Sequence, residues 1–232
     1  MPTSLAKGLL CALTILTVAP LRKVGDPKRA MVFAPVVGGL LGLVVAALAW
    51  PFDGLLRGAV MVGLALLLTR GMHVDGLADT VDALGSYKPR EQALAIMRSP
   101  EVGPFGVAAI VVVLLIQAVT LASLSFTQVA LAFAVGRLGA TIGCQRGVPS
   151  AHASGLGALV AGTVSPVWII FYVVIFSVFN PIVLAVVALV FLVRWHIVRR
   201  LGGITGDVLG FLIELSTTLC LIGLSRIPSP VF

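Results

Sequence analysis

Asp75, Asp79 and Asp82 stand at spacing i, i+4, i+7 within GMHVDGLADTVDAL, residues 71–84. On a helix this spacing gathers three carboxylates into an arc of about 60°. Like charges at i, i+4 repel, and a carboxylate at the centre of a bilayer costs about 3 kcal/mol. A bound cation removes both penalties. Oxygen donors without cysteine, and with only His73 nearby, suit a hard ion such as Mg²⁺ or Mn²⁺, which bridges protein carboxylates and substrate phosphates. The alternative is a solvated helix face. No Lys or Arg interrupts the three acids, and the chain has only nine acids in all, which favours the metal site. His73 is a second ligand, a proton acceptor or an interfacial ring.

A second group lies in RRLGGITGDVLGFLIE, residues 199–214. Gly202, Gly203 and Gly206 can bring backbone N–H groups close to an anion where a helix begins. Asp207 and Glu214 are seven apart and share a face that descends into an apolar span, where an acid is a functional candidate. A glycine turn with Asp207 as a helix-start acid is the simpler reading for Asp207 alone; Thr205 and Arg199-Arg200 beside it argue for a site. In IMRSPEVGPFG, residues 96–106, Arg98 is either a phosphate clamp or an interfacial arginine. Arg137 falls within a span, between Gly136 and Gly139. A buried guanidinium needs a partner, an acid or an anionic substrate facing an aqueous cavity.

The elements that must carry these residues are membrane helices. Of 232 residues, 59% are hydrophobic and 11% charged, against about 25% charged in a soluble domain. Apolar stretches long enough to span, roughly 20 residues, recur throughout. The sequence predicts an all-α polytopic membrane protein of seven to eight transmembrane helices, residues 1–232 forming one integral membrane domain. The spans are expected near 4–20, 31–50, 55–70, 104–123, 127–144, 157–179, 181–198 and 208–226. The first is read as a retained span, because only Lys7 precedes it and no A-x-A site follows. The 55–70 span is short and glycine-broken. Cys11, Cys144 and Cys220 have no C-x-x-C spacing and read as small core residues.

Charge sets the expected orientation. Twelve of the 16 Lys and Arg, among them Arg22, Lys23, Arg98, Arg199 and Arg200, fall in or beside the connections 20–31, 70–104, 144–157 and 198–208. Lys7, Arg57 and Arg226 fall on the other side. The imbalance places the motif-bearing loops in the cytoplasm and both termini outside. The net charge of +7 thus reflects topology. With no soluble basic module, nucleic acid is not an expected partner; the lipid bilayer is, and the basic face also suits anionic substrates or headgroups.

The motifs at 71–84, 96–106, 136–137 and 199–214 together resemble the cobalamin synthase (adenosylcobinamide-GDP ribazoletransferase) family. HxDGLADTxD followed far downstream by GGxTGDVLG is a specific combination, and the likeness runs from about the second span to the last. One departure is Ser99-Pro100-Glu101, where the family has an Asp-Ser-Arg-like run. The resemblance implies a Mg²⁺-dependent enzyme of the cytoplasmic (inner) membrane. Its expected substrates are adenosylcobinamide-GDP and α-ribazole or its 5′-phosphate, its products GMP and adenosylcobalamin or the 5′-phosphate. It implies Asp75, Asp79, Asp82 and Asp207 as metal ligands, and Arg98, Arg137, Arg199, Arg200, Gly203, Thr205 and Gly206 around substrate phosphates. His73, Asp82 and Glu214 are the expected catalytic groups, and an oligomer is compatible with the pattern.

Two other classes share some of these features. A CDP-alcohol phosphotransferase would also carry an Asp-rich helix, but its arginine and last two acids are missing here. An ion-coupled transporter would place its charges near the midplane on broken helices, often with repeated halves; these acids lie mostly at one interface.

Overall fold

The computed structural model describes residues 2–19 and 26–226; Arg22 and Lys23 lie outside them. It is all-helical apart from two isolated bridges. The helices are α1 (Pro2–Leu16), α2 (Pro27–Leu48), α3 (Gly54–Thr69), α4 (Met72–Gly85), α5 (Arg90–Ile96), α6 (Pro104–Leu121), α7 (Phe126–Gly143), α8 (Leu156–Val160), α9 (Pro166–Phe179), α10 (Ile182–Leu201) and α11 (Gly206–Ser225). Their starts follow local chemistry. Asp26 caps α2 ahead of Pro27, Ser125 and Gln128 form a capping box on α7, and Thr205 caps α11. Pro104 and Pro166 open α6 and α9, where a missing N–H costs least.

Each expected apolar segment contains a helix, but the span count is lower than seven to eight. Among the described residues, five helices (α2, α6, α7, α10 and α11) are long and apolar enough to cross a membrane, six if the bent pair α3–α4 is one span. The 157–179 segment is not continuous. Gly162 at φ 69° ends α8, and a new helix starts only at Pro166. The run that hydropathy reads as one span is thus split between a loop and the shorter α9.

Helices α7 and α11 form the centre. Most of each is buried, whereas α6 and α10 turn most of their apolar surface outward. Exposed Leu115, Val119, Val178, Phe179 and Leu192 are what a lipid-facing rim requires. Between the central helices small residues permit close approach. Gly136 meets Thr217 and Gly139 meets Ser216 across the α7–α11 contact, and Gly42 packs on the α7 backbone at Val129 and Ala130. Thr141 Oγ1 donates to the Met31 carbonyl at 2.8 Å, tying α7 to α2.

Helix α4 is set by a corner. Arg70 and Gly71 both adopt left-handed backbone, φ 55° and 65°, and α4 leaves α3 at 92°. Gly71 N donates to Leu66 O at 2.9 Å, closing the end of α3. With three acids and this angle, α4 lies outside the spanning segments. It packs against α11 and α6.

Candidate functional site

Helix α4 meets the start of α11 at Gly76. A Cβ there would come within 2.8 Å of the Asp207 Cα, so glycine is what lets the two acidic segments touch. Around this contact opens a cavity of about 380 Å³, lined by Asp75, Asp207, His73, Thr205 and Gly206 with Ser150, His152 and Ser154. Its apolar side comes from Ile15, Leu16, Met31, Met72, Ala140, Leu209 and Ile213. The long sequence separation between Asp75 and Asp207 is therefore closed in space.

Asp79 lies one turn on from Asp75 and does not line the cavity. Burial first, then the carboxylates of Asp75, Asp207 and Asp82, push its carboxyl up to about 6. Negative charge is thus concentrated at this corner. Yet among the described residues no three His, Cys, Asp or Glu side chains converge as a metal-binding group.

Of the three acids on α4, Asp82 is the one with backbone partners. It is 7% exposed, and its Oδ2 and Oδ1 accept the N–H groups of Gly103 at 2.7 Å and Gly106 at 2.8 Å. These are the unpaired donors at the start of α6. Asp82 holds α6 against α4.

The expected phosphate-clamp arginines are not brought together on the acidic cavity. Arg137 is 3% exposed, sits over the Phe133 ring at 5.4 Å, and lines a second, small void of about 20 Å³ rather than the acidic cavity. Glu214 lines the same void and accepts from Gln117 Nε2 at 2.7 Å, so it too lies away from Asp75 and Asp207. Arg199 stacks on Trp195 at 4.1 Å, on the outer surface of α10, and Arg200 donates to the Lys88 carbonyl at 2.7 Å. Gly203 is a packing glycine, its Cα pressed to the backbone of Pro149–Ala151. Ile204 N donates to Pro149 O and Ala151 N to Ile204 O, both at 2.9 Å. These two bonds tie Ile204 to the 144–155 loop. Thr205 and Gly206 do line the cavity, but the Thr205 hydroxyl is committed, accepting from Val208 N and donating to Asp207 Oδ2.

His73 forms part of the wall between the two voids. It is 3% exposed, and neither ring nitrogen has a hydrogen-bond partner, a costly arrangement for a group without a further ligand.

His152, Ser150 and Ser154 were not visible as site residues in the sequence. Arg98 Nη2 lies 3.0 Å from His152 Nδ1. A guanidinium only donates, so Nδ1 accepts and the ring proton sits on Nε2. Burial and the Arg98 cation hold His152 below its usual range, with Asp207 opposing and Arg90 reinforcing. Arg98, and Arg90 beside it, thus supply positive charge at the cavity rim, opposite the acids. The only signal in the sequence was PSAHASGLG, 149–157, an uncharged Ser/Gly/His stretch.

The profile of the cobalamin-5-phosphate synthase family matches residues 8–225. The chain belongs to this family. An adenosylcobinamide-GDP ribazoletransferase of Frankia casuarinae is 36% identical, covering 95% of both chains. One from a Nocardioides species is 40% identical over 88% of this chain and 90% of its own. One from Pseudomonas fluorescens is 35% identical over 94% of this chain and 98% of its own. No solved structure matches. For a family defined on phosphorus chemistry, the informative part of the geometry is the pairing of acids from α4 and α11 on one cavity, with Arg98 and His152 at its rim.

Proposed function

We propose that this chain joins adenosylcobinamide-GDP to α-ribazole or α-ribazole 5′-phosphate, releasing GMP and forming adenosylcobalamin or its 5′-phosphate. The carrying observation is that Asp75 and Asp207 share one cavity with His73 and His152. A ribose hydroxyl oxygen attacks the phosphorus that bears the cobinamide. The bond from that phosphorus to the oxygen bridging to GMP breaks, and the hydroxyl proton passes to a base. His73 is the proposed base: both ring nitrogens are unpartnered but buried in the cavity wall, so the ring must turn a nitrogen toward the substrate to take the proton. His152, its proton on Nε2, donates to a phosphate oxygen, and Arg98 holds that ring in place. Arg98 keeps its phosphate role through His152; Arg137, Arg199 and Arg200 have no place in this scheme.

The donor set fits a hard cation in a reduced form. Mg²⁺ commonly rests on one or two carboxylates and takes its remaining ligands from water and substrate phosphate. Asp75 and Asp207 would hold it, with Asp79 adding charge from behind. Such an ion neutralises charge on the pyrophosphate oxygens; Mn²⁺ would serve in the same way. The acidic face is proposed to lie on the cytoplasmic side of the inner membrane, following the loop charges.

The test is GMP release by the purified protein in nanodiscs, given adenosylcobinamide-GDP, α-ribazole and Mg²⁺. Wild type should form GMP in step with the joined corrinoid, and Asp75→Ala and Asp207→Asn should each lose most of that activity. No GMP from the wild-type protein would reject the reaction.

A further inference from the structure

The two substrates differ greatly in size and polarity, and the cavity can receive only one of them. At about 380 Å³ it lies at the low end of pockets that enclose a drug-sized ligand. A corrin macrocycle with its side chains and adenosyl group is far larger and must stay outside. The geometry points to the apolar end of this cavity as the seat of the heteroaromatic base of the acceptor nucleoside, a benzimidazole. This rests on the reaction proposed above.

The lining supplies the chemistry. Leu16, Met31, Ala140 and Ile213 are each at most 4% exposed and face the cavity from α1, α2, α7 and α11. With Met72 they present two thioethers, which favour contact with aromatic rings. Ala140 is the smallest of these side chains, so enlarging it is the most direct way to fill this end. At the other end the wall turns polar with Ser150, Ser154, Asp75 and Asp207, where ribose hydroxyls would emerge beside the acids and the rim cations Arg98 and Arg90.

The same arrangement selects against the other aromatic base in the reaction. Guanine carries several donors and acceptors, and sinking it among Leu16, Met31, Ala140 and Ile213 would leave them unpaired, each costing binding. A benzimidazole has almost no such groups. The guanosine diphosphate portion therefore stays at the rim with the corrinoid.

Two measurements test this on the full-length protein in nanodiscs. Ala140→Leu fills the cavity end and should raise KM for α-ribazole by about tenfold or more, while KM for adenosylcobinamide-GDP stays within about twofold. A riboside of unmethylated benzimidazole should recover part of the loss, because its ring is smaller. The second measurement needs neither turnover nor that variant. Cys11, Cys144 and Cys220 are all buried, so a maleimide should report a cysteine introduced by Met72→Cys in the apolar lining of the cavity. α-Ribazole alone should slow that labelling, and guanosine or GMP should not. Protection by guanosine, no protection by α-ribazole, or a rise in KM for adenosylcobinamide-GDP instead of α-ribazole would overturn the assignment. Protection by α-ribazole without GMP release from wild type would keep the pocket and reject the reaction.

Discussion

Asp75, Asp79 and Asp82 share a helix face, yet at the scale of single residues they do different work. Asp82 satisfies two backbone donors at the start of α6, so Asp82→Ala leaves both unpaired in a buried corner. It should cost about 1–3 kcal/mol, read as a lower Tm in nanodiscs, whereas Asp75→Ala should remove activity with Tm unchanged. Equal Tm for the two variants would refute this division. Asp79 gives a pH signature. Its carboxyl is raised to about 6 in the folded chain from an ordinary 3.8, so the folded state holds a proton that the unfolded chain releases first. That contribution is complete below pH 3.8 and is lost as pH rises through about 6. Asp79→Asn should therefore raise Tm at pH 8 and leave it unchanged near pH 3.5, measured without divalent cations. A gain of the same size at both pH values would mean the acids do not repel through Asp79. Periodicity exposed the shared face of these acids. It could not show that Asp82 also holds two backbone N–H groups, because these lie 21 and 24 residues away.

At the scale of elements, the site depends on how closely α4 can lie on α11. Gly76→Ala places a methyl against the Asp207 backbone, which cannot swing aside as a side chain would. The helices must part by a fraction of an ångström or more, and Asp75 moves away from Asp207. Misplacement of about 1 Å can cost about 100-fold in rate. We expect kcat to fall by about that factor with the helix content intact by circular dichroism; a kcat within about twofold of wild type would show that the close approach is not needed. The apolar segments made most helices legible, including the short, bent α3. The 144–165 connection was not, because it carries little charge and its neighbours are apolar. Its backbone is fixed by distant pairing, Ser150 with Ile204 and Gln145 with Val164, which no local pattern announces. With it went His152, and the four expected arginines drew attention by charge alone although, of those four, only Arg98 reaches the rim.

At the scale of the whole molecule, the loop charges support our proposal that the end of the bundle carrying the cavity faces the cytoplasm. Single cysteines at Ser86, beyond α4, and at Asp53, between α2 and α3, should be labelled from opposite sides in intact cells. An impermeant maleimide is expected to reach the Asp53 position and spare the Ser86 position. Labelling of the Ser86 position from outside would invert the arrangement and put the acids on the wrong side for a nucleotide substrate.

The pairing of Ser150 with Ile204, and of Gly76 with Asp207, has a consequence for how the protein is made. During synthesis α4 is made and α7 enters the membrane long before α11 leaves the ribosome. Until then His73, Asp75 and the glycine groove of α7 at Gly136 and Gly139 have no partner, and the 149–151 backbone has nothing to pair with. The nascent chain passes through a stage that exposes acids and a bare helix seam to lipid and to membrane proteases. A chain stopped after Leu201 should be degraded rather than accumulate as an inactive protein, and supplying residues 202–232 as a separate segment should extend its lifetime in a pulse-chase measurement.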